Sequence, residues 1–368
     1  MKKKILMSLA LMAVMALSAS AFTQDDAIVY RGAGSWFCDY SVQSGFGDAA
    51  VDTSLTGFGN AGAQPFAKDV NGDGIVDMVV AQDAGAGAYQ WVAAHSVNDG
   101  SGKGLMSSTT TTAVYPFGTV AGSCGNLMGD VNGDGIQDCL TINANFNWYA
   151  QLSTAAGIGG GAFQGPVQFG LATDDHPILG DFDGDGYDDL GIYRTNATGN
   201  ILWKSSAGGV LGAGAVGPTG QIGGGPTDYL LIGDLNGDAY ADAVMVRRTG
   251  TGLIQWFGLI NDGTGDLNYY NPGTTIVSFG NDDGNDTPML GDINGDGYDD
   301  IVVNRGGTAF YAAFTASDGS GELGDTVDSS LTFGLAGDTP LLGQMKLVPE
   351  PATFGLLAIL GLAFLRRK

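Results

Sequence analysis

A nine-residue pattern, Asp-x-(Asn/Asp)-Gly-Asp-(Gly/Ala)-x-x-Asp, occurs five times along the chain, starting at Asp69, Asp130, Asp181, Asp234 and Asp292. Oxygen-bearing side chains at alternating positions of a tight loop are the ligands that Ca²⁺ requires, because this hard cation takes about six to eight oxygens. The pattern therefore predicts five calcium-binding loops. Their starts lie 61, 51, 53 and 58 residues apart, so each loop belongs to a longer repeated unit.

Within each loop, we expect positions 1, 3, 5 and 9 to supply side-chain oxygens and position 7 to supply a backbone carbonyl. The predicted ligands are Asp69, Asn71, Asp73, Ile75 and Asp77 in loop one, Asp130, Asn132, Asp134, Ile136 and Asp138 in loop two, Asp181, Asp183, Asp185, Tyr187 and Asp189 in loop three, Asp234, Asn236, Asp238, Tyr240 and Asp242 in loop four, and Asp292, Asn294, Asp296, Tyr298 and Asp300 in loop five. Up to five Ca²⁺ ions would bind, mainly in a structural role, because they offset the repulsion between clustered carboxylates.

Two other interpretations of the loops fit the pattern less well than calcium binding. An EF-hand is excluded, because position 12 is never the glutamate that an EF-hand needs and the flanking segments read as strands. Solvated Asn-Gly and Asp-Gly turns are common, but five copies of the complete spacing favour metal binding. Loop four has Ala239 at position 6, where glycine is preferred. A positive φ there would cost about 1 kcal/mol.

Short apolar runs surround each loop and end in a Phe-Gly pair, at residues 58–59, 117–118, 169–170, 279–280 and 333–334, with Ile222-Gly223 in the equivalent place of another unit. An aromatic residue that marks a third strand follows 18 or 22 residues after each loop begins: Trp91, Trp148, Trp203, Trp256 and Phe310. Turn-forming residues separate the apolar runs, and no helical periodicity occurs between the chain ends. Each unit therefore reads as four short β-strands.

Repeated four-stranded units of this length predict an all-β fold, a six-bladed β-propeller, over residues 28–347. Whole units lie at about 60–118, 119–170, 171–223, 224–280 and 281–332. Residues 28–59 supply strands two to four of a further unit, and residues 333–347 supply only a first strand. Together they form a sixth, composite blade that closes the ring. This blade has no calcium loop, because Gln344 stands where the first aspartate belongs.

The units resemble FG-GAP (VCBS) repeats, which build integrin α-chain propellers and occur in many bacterial secreted proteins. Three motifs carry the resemblance over residues 30–347: the Phe-Gly pair, the Pro-x-x-Gly-Asp approach and the nine-residue loop. It implies a propeller with calcium bound in hairpin loops and a role in adhesion. Integrin propellers have seven blades, so a count of six departs from that family.

The two ends of the chain read as sorting segments. Residues 1–21 contain a lysine cluster, an apolar run and Ala19-Ser20-Ala21, the order of a secretory signal peptide. Residues 348–368 contain Pro349-Glu350-Pro351, an apolar run and a basic end, and resemble a PEP-CTERM signal. That resemblance implies processing by an exosortase of a Gram-negative bacterium, with transient retention in the inner membrane before release to the cell envelope or extracellular matrix. A simple tail anchor is the alternative.

Charge and cysteine content limit the partners and the covalent chemistry. Residues 22–349 carry 9 Lys and Arg against 38 Asp and Glu, a formal charge of −29. This acidity disfavours nucleic acid as a partner, because nucleic acid needs clustered basic residues. Cys124 and Cys139 flank loop two. A disulfide between them is one interpretation, and buried free thiols, with Cys38 among them, are the other.

No catalytic motif is apparent. His176 occupies the place of Thr287 and Thr339 and is expected to cap a turn, while His95 has no evident partner. The tryptophans recur at a fixed place in the unit, which favours packing between blades over sugar stacking. Arginines follow the second strands, and they either pair with acids of neighbouring loops or form a ring at one face: Arg31, Arg194, Arg247, Arg248 and Arg305.

The sequence thus favours a secreted, calcium-binding and non-enzymatic propeller. It would act as an adhesion or binding module at the cell surface or in the extracellular matrix, with an unidentified protein or polysaccharide as ligand. A second hypothesis is a calcium-dependent lectin for exopolysaccharide. A third is a propeller polysaccharide lyase or hydrolase, which the scarcity of basic residues disfavours.

Overall fold

A computed structural model describes residues 24–345, apart from 33, 43–44, 85–88, 109, 114–122, 172–174, 196–198, 223–224, 226, 251, 266 and 268–274. The predicted signal peptide, the PEP-CTERM segment, Phe117-Gly118 and Gly223 lie outside the described residues. All regular elements in the described part of the chain are β-strands, numbered β1 to β26 in chain order. No helix long and apolar enough to cross a membrane occurs there.

Six four-stranded antiparallel sheets form the blades of a propeller. In the order of pairing, blade 1 contains β26 (Thr339–Gly343), β1 (Asp26–Arg31), β2 (Ser35–Asp39) and β3 (Thr53–Thr56); blade 2 contains β4 (Gln64–Lys68), β5 (Asp77–Asp83), β6 (Tyr89–Ala94) and β9 (Thr110–Ala113); blade 3 contains β10 (Ser123–Gly129), β11 (Asp138–Asn143), β12 (Asn147–Gln151) and β13 (Phe163–Gln168). Blade 4 contains β14 (Asp175–Gly180), β15 (Asp189–Arg194), β16 (Asn200–Lys204) and β17 (Gly220–Gln221); blade 5 contains β18 (Tyr229–Gly233), β19 (Asp242–Arg247), β20 (Leu253–Leu259) and β21 (Thr275–Asn281); blade 6 contains β22 (Asp286–Gly291), β23 (Asp300–Arg305), β24 (Ala309–Ala313) and β25 (Ser329–Thr332). A small hairpin of β7 (Val97–Asn98) and β8 (Gly104–Leu105) leaves blade 2 between its third and fourth strands. The prediction of a six-bladed all-β propeller is confirmed.

Blade 1 closes the ring by joining the two ends of the described chain. β26 pairs antiparallel with β1, and Gly343 lies opposite Asp26 as Gly129 lies opposite Asp138 in blade 3. The two chain ends therefore meet where the other blades carry the nine-residue loop. Because the first strands of neighbouring blades contact one another, they line the axis of the ring.

A closed ring of six backbone hydrogen bonds joins the blades. In each blade the N–H at loop position 8 donates to the position 1 carbonyl of the preceding blade over 2.7–2.9 Å: Gln137 to Asp69, Asp188 to Asp130, Ala241 to Asp181, Asp299 to Asp234, Asp25 to Asp292 and Val76 to Gln344. Gln344 therefore occupies the position that the sequence predicts for it. Blades 1 and 2 are therefore joined by the same hydrogen bond as the other neighbouring blades, although the strands of blade 1 come from distant parts of the sequence.

The tryptophans pack in the interior, and the prediction that they are not sugar platforms is confirmed, since all five are buried. In three blades the indole N–H donates to the carbonyl of the phenylalanine in the Phe-Gly pair over 2.8–2.9 Å: Trp36 to Phe58, Trp148 to Phe169 and Trp256 to Phe279. These bonds satisfy the one polar group of each buried indole. The Phe-Gly turn is thus fastened to the third strand of its own blade.

Trp203 departs from this shared register. In blade 4 the equivalent place is taken by Ile201, which lies opposite Tyr193, and Trp203 lies two residues further along β16. Its indole N–H donates instead to the carbonyl of Gly265 in blade 5 at 3.1 Å. The number of residues between Trp203 and the start of its loop therefore does not determine which residue lies opposite it on the neighbouring strand.

The disulfide interpretation is excluded. Cys139 is buried and free, and it lies opposite Met128, four residues beyond Cys124 along β10. Strand residues rise about 3.3 Å each, so this offset exceeds the Cα separation that a disulfide spans. Cys38 is buried as well and forms no disulfide.

Candidate functional site

All five nine-residue loops lie at one end of the propeller, which we call the loop face. Each connects the first and second strands of its blade: β4 and β5, β10 and β11, β14 and β15, β18 and β19, and β22 and β23. Because the first strands line the axis, the loops surround its opening. The propeller thus gathers acidic segments that are 51 to 61 residues apart in sequence.

The aspartate at position 1 organises each loop around its carboxylate. In loop one the N–H groups of Gly72 and Gly74 donate to Asp69 Oδ1 and Oδ2, both at 2.7 Å. Bonds from positions 4 and 6 to position 1 recur in every loop at 2.7–3.0 Å. The position 5 carboxylate accepts the N–H of position 7 at 3.0–3.1 Å. Carboxylate oxygens carry about four lone-pair sites, so acceptor capacity remains for a cation.

The aspartates at position 9 are fully buried: Asp77, Asp138, Asp189, Asp242 and Asp300. Each accepts one N–H from position 2 of its loop at 2.9–3.2 Å and one from the segment after the third strand at 2.6–2.8 Å. Burial raises the pKa of the last four to about 8 and also raises the pKa of Asp77. A nearby cation would remove this penalty on the charged form.

Blade 1 keeps part of this arrangement without the loop. Asp26 accepts the N–H of Met345 at 2.8 Å and that of Ser41 at 2.6 Å, the two bonds that position 9 makes elsewhere. Here β26 and β1 are separate in sequence, so no continuous nine-residue loop joins them, although Gln24 lies against Gly295 as the position 7 residues of the other blades lie against their position 4 glycines. Blade 1 therefore keeps the hydrogen bonds of the position 9 aspartate, but Gln344 replaces the aspartate at position 1.

Loop three brings three predicted ligands together. Carboxylate oxygens of Asp181, Asp183 and Asp189 lie within 4.8 Å of one another. Oδ1 of Asp183 is buried and has no hydrogen-bond partner. A hard divalent cation between the three carboxylates would supply the missing partner, so these residues fit a metal ion of the calcium type.

The other four loops carry asparagine at position 3. Its amide nitrogen lies 2.9–3.4 Å from Oδ2 of the aspartate at position 5. The amide would have to turn its oxygen inward to join a metal, which needs rotation about one side-chain bond. Within the described residues, no second group of three His, Cys, Asp or Glu side chains converges as closely as the group in loop three.

Neighbouring loops pack on one another through positions 4 and 7. The position 7 side chain lies against the position 4 glycine of the preceding blade: Ile136 on Gly72, Tyr187 on Gly133, Tyr240 on Gly184 and Tyr298 on Gly237. A Cβ at these glycines would lie only 2.3–3.1 Å from the neighbouring side chain. Glycine at position 4 is therefore favoured by the contact between blades and also by the turn, in which its φ lies between 71° and 76°.

The structure corrects both expectations about the histidines. His95 has partners: its Nδ1 lies 3.1 Å from Asp77 Oδ2 and 3.3 Å from Asn71 Nδ2 in loop one. His176 does not cap a turn but lies within β14, exposed and opposite Tyr193. The sequence could not show the first contact, because 18 residues and the hairpin of β5 and β6 separate His95 from Asp77.

A second recurring turn on the loop face was missed in the sequence. The pattern Asp-Gly-(Ser/Thr)-Gly follows the third strand in three blades, at residues 99–102, 262–265 and 318–321. The hydroxyl side chain and backbone N–H of the third residue hydrogen-bond to the aspartate and lower the pKa values of Asp99, Asp262 and Asp318. These turns lie beside the nine-residue loops, since Gly319 approaches the Asn236 carbonyl. Their repetition was the signal that could have revealed them.

Four of the five arginines that follow second strands pair within their own blades, at the end opposite the loop face, and not with acids of neighbouring loops. The fifth, Arg248, lies 3.7 Å from Asp282. Four guanidinium groups bind an aspartate through Nε and Nη2 over 2.6–3.2 Å: Arg31 with Asp338, Arg194 with Asp175, Arg247 with Asp228 and Arg305 with Asp286. The same aspartates accept a backbone N–H at 2.6–2.8 Å: Leu335, Leu171, Gly225 and Asn281. Each pair therefore anchors the connection that enters its blade.

Two equivalent grooves lie between blades and extend from that end along the blades. One, of about 290 Å³, lies between blades 6 and 1, and the other, of about 240 Å³, lies between blades 5 and 6. In each, a Phe-Gly turn forms one wall, and an arginine stacked on an aromatic ring of the next blade forms the other. Arg31 lies 4.5 Å from the Phe37 ring, and Arg305 lies 4.9 Å from the Tyr311 ring.

Exposed aliphatic side chains border both grooves. Leu335 and Val51 border the groove between blades 6 and 1, with 57% and 54% of their surface exposed. Val327 and Leu253 border the groove between blades 5 and 6, at 55% and 49%. Each groove therefore offers apolar surface next to a planar cationic group.

Comparison with known proteins supports the repeat and the fold. Residues 69–141 match the model of a family described as FG-GAP-like repeat. This match begins at the first aspartate of loop one and ends within β11. No curated protein sequence matches the chain significantly.

A solved structure shares the propeller architecture. It is described as the structural basis of specific recognition of non-reducing terminal N-acetylglucosamine by an Agrocybe aegerita lectin. The TM-score is 0.55 and the sequence identity is 14%, and the alignment covers 89% of this chain and 97% of the lectin. At this identity, the likeness shows the fold alone.

Proposed function

We propose that this protein is an exported, calcium-stabilised and non-enzymatic binding module, and that its ligand is carbohydrate of the cell surface or extracellular matrix. The observation that carries the proposal is the pair of equivalent grooves between blades. Each combines exposed aliphatic side chains with an arginine stacked on an aromatic ring. A lectin with the same fold supports carbohydrate as the ligand class.

The groove chemistry suits a sugar ring, which has an apolar C–H face and hydroxyl groups in fixed directions. Leu335 and Val51 would cover the C–H face. Arg31 binds Asp338 through Nε and Nη2 and keeps 36% of its side chain exposed, so its Nη1 group is placed to donate to a ligand oxygen. Because Asp338 neutralises the guanidinium, the groove favours neutral sugars over polyanions.

Calcium in the five loops is the structural part of the proposal. The converging carboxylates of loop three and the unpartnered oxygen of Asp183 support a hard cation there. The hydrogen bonds at positions 1, 5 and 9 recur in all five loops, which supports the same role for each. Calcium would stabilise the loop face while the grooves between the blades bind the ligand.

Binding without turnover is favoured by the composition of the grooves. Neither groove is lined by a histidine, and the sequence contains no Gly-x-Ser-x-Gly, His-Glu-x-x-His or Gly-Lys phosphate-loop motif. Export through residues 1–21 and exosortase processing of residues 348–368 rest on the order of the sequence segments. A matrix or surface location would bring the grooves into contact with polysaccharide.

The test is a glycan array followed by titration calorimetry on the purified protein in millimolar Ca²⁺. Leu335→Asp and Val327→Asp, combined in one variant, should weaken binding of the selected glycan about tenfold or more, because each places a charge on an apolar wall. Val97→Asp is the matched control, since Val97 is also exposed but lies on β7. Full affinity in the double variant, or no glycan bound by the wild type, would overturn the proposal.

Two further outcomes distinguish the earlier hypotheses. Capture of a matrix protein without any glycan binding would favour protein adhesion. Release of unsaturated or reducing ends from a polysaccharide would show an enzyme and contradict a binding module.

A further inference from the structure

The groove between blades 5 and 6 continues toward the loop face as a second cavity of about 460 Å³. Ile276 and Val277 of β21 line this second cavity, and they directly precede Ser278, which lines the first. Asp325 lines both cavities. The two cavities therefore form one extended groove along β21, the outermost strand of blade 5.

The corresponding space between blades 6 and 1 is filled by Phe46. Asp328 and Asp52 establish the correspondence, because each accepts the N–H of the first residue after the third strand of its blade, at 2.9 and 2.8 Å. Six residues before these aspartates stand Glu322 and Phe46. Phe46 is buried, and its ring centroid lies 5.7 Å from that of Phe310. Glu322 is exposed and lines the second cavity instead, so the extension remains open between blades 5 and 6.

The length of the extended groove suits a chain of linked sugars. β21 lines it from Ile276 to Asn281. Strand residues rise about 3.3 Å each, so this wall is roughly 16 Å long. A single sugar ring would fill only part of that length, whereas several linked units would contact both cavities. The shape therefore favours an internal stretch of a polysaccharide over a single terminal sugar.

The second cavity combines apolar walls with two carboxylates. Ile276, which is 52% exposed, and Phe314 would contact the C–H face of a sugar ring. Glu322 and Asp325 are exposed acids, and no Lys, Arg or His is among the described residues that line this cavity. A negatively charged lining attracts a cationic group. An amino sugar supplies both the apolar ring face and the ammonium group.

We propose that the groove between blades 5 and 6 binds an internal stretch of a linear polysaccharide whose sugar units carry free amino groups. Glu322 and Asp325 pair with ammonium groups in the second cavity, while the first cavity holds the neighbouring units. This inference rests on the carbohydrate-binding role proposed above and narrows the ligand class. A cationic polymer also complements the formal charge of −29 on residues 22–349.

The experiment is calorimetric titration of the purified protein in millimolar Ca²⁺, at a slightly acidic pH that keeps free amines protonated. The glucosamine tetramer should bind about tenfold or more tightly than either the glucosamine monomer or the N-acetylglucosamine tetramer. In the double variant Glu322→Gln and Asp325→Asn, the preference for the charged tetramer should fall to about twofold or less, because the amides keep the shape and remove the charge.

The matched control is the double variant Asp48→Asn and Asp99→Asn. It also removes two exposed carboxylates, but neither aspartate lines any of the three cavities. It should keep the wild-type preference. Glu322→Phe, which installs the residue of the filled space between blades 6 and 1, tests the length of the site: it should weaken binding of the tetramer more than that of the monomer.

Equal affinity of the wild type for the two tetramers, or an unchanged preference after removal of the Glu322 and Asp325 charges, would overturn the inference. A tetramer that binds no more tightly than the monomer would overturn it as well. The neutral sugars separate this failure from failure of the proposed function. A neutral glycan bound without preference for amines defeats only the amino-sugar site, whereas no glycan bound defeats both proposals.

Discussion

At the residue scale, loop four contains a backbone strain that the sequence predicted. Ala239 at position 6 has φ of 69°, while the glycines at this position in the other loops have φ of 81° to 88°. A Cβ in the left-handed region costs about 1 kcal/mol, because it crowds the neighbouring backbone. The hydrogen bond from Ala239 N–H to Asp234 is also the longest of its set, at 3.0 Å.

Ala239→Gly should therefore raise the free energy of unfolding by about 1 kcal/mol, measured by urea denaturation at fixed calcium. Ala156→Gly is the control, because Ala156 is exposed in a turn without positive φ. Glycine there should destabilise by up to about 1 kcal/mol through greater freedom of the unfolded chain. Equal effects of the two substitutions would contradict the strain at Ala239.

At the element scale, the Arg–Asp pairs connect the Phe-Gly turn of one blade to the second strand of the next. Asp286 is buried, binds Arg305 through both oxygens, and accepts the Asn281 N–H at 2.6 Å. The Asp286 side chain therefore links Asn281, at the end of β21, to Arg305, at the end of β23. Four of the six blades contain this arrangement, so it is a repeated device of the fold.

Asp286→Ala should lower the free energy of unfolding by about 2–3 kcal/mol, because it leaves a guanidinium and a backbone N–H without their acceptor. This loss of stability is at the lower end of the range for such pairs, because 39% of the Arg305 side chain is exposed to solvent. Asp283→Ala in the same connection is the control, since Asp283 is exposed, and it should cost less than about 1 kcal/mol. Chemical denaturation at constant calcium gives both values, and a similar loss in both variants would argue against the anchoring role.

At the scale of the whole molecule, closure of the ring depends on β26. A chain ending at residue 337 would leave β1 as an open inner edge and would remove Asp338, the partner of Arg31. We expect a loss of roughly 5 kcal/mol or more, comparable with the net stability of a domain. A chain ending at residue 349 keeps β26 and should unfold like the full chain in calorimetry. Similar transitions for the two truncations would show that closure contributes little.

Calcium should act on the whole molecule as a linked ligand. If each site is about tenfold above its Kd, binding contributes about 1.4 kcal/mol per site. Five sites would supply roughly 7 kcal/mol, a large part of a domain's stability. The thermal midpoint should therefore rise strongly from EDTA to millimolar Ca²⁺, with up to five ions counted by native mass spectrometry. No shift and no bound ions would reduce the loops to hydrogen-bonded turns.

The pH dependence of the metal-free protein follows from the buried aspartates at position 9. Four of them have pKa values of about 8 in the folded state, against about 3.9 for an unfolded chain. The folded state then holds protons that the unfolded state releases, so this contribution is complete below about pH 4 and is lost as the pH rises toward 8. The thermal midpoint without metal should be lower at pH 8 than at pH 5, and millimolar Ca²⁺ should reduce or reverse the difference. Equal midpoints without metal would contradict it.

The sequence by itself determined the repeated unit, the five acidic loops and the composite blade. These features are local or periodic: the loop spans nine residues, the strands follow from alternating apolar runs and turns, and Gln344 marks the missing loop. Such signals are readable because each unit repeats the same short-range constraints. The strained Ala239 was predictable for the same reason.

Only the tertiary structure decided which residues meet across strands and blades. It brought His95 to loop one, paired four arginines with aspartates of their own blades, placed Trp203 two residues beyond the register of the other tryptophans and kept Cys139 from Cys124. It also formed the grooves, whose walls come from different blades. These contacts depend on strand register and on packing between blades. A register shift moves side chains without altering the local pattern, and therefore the spacing of residues along the chain could not specify them.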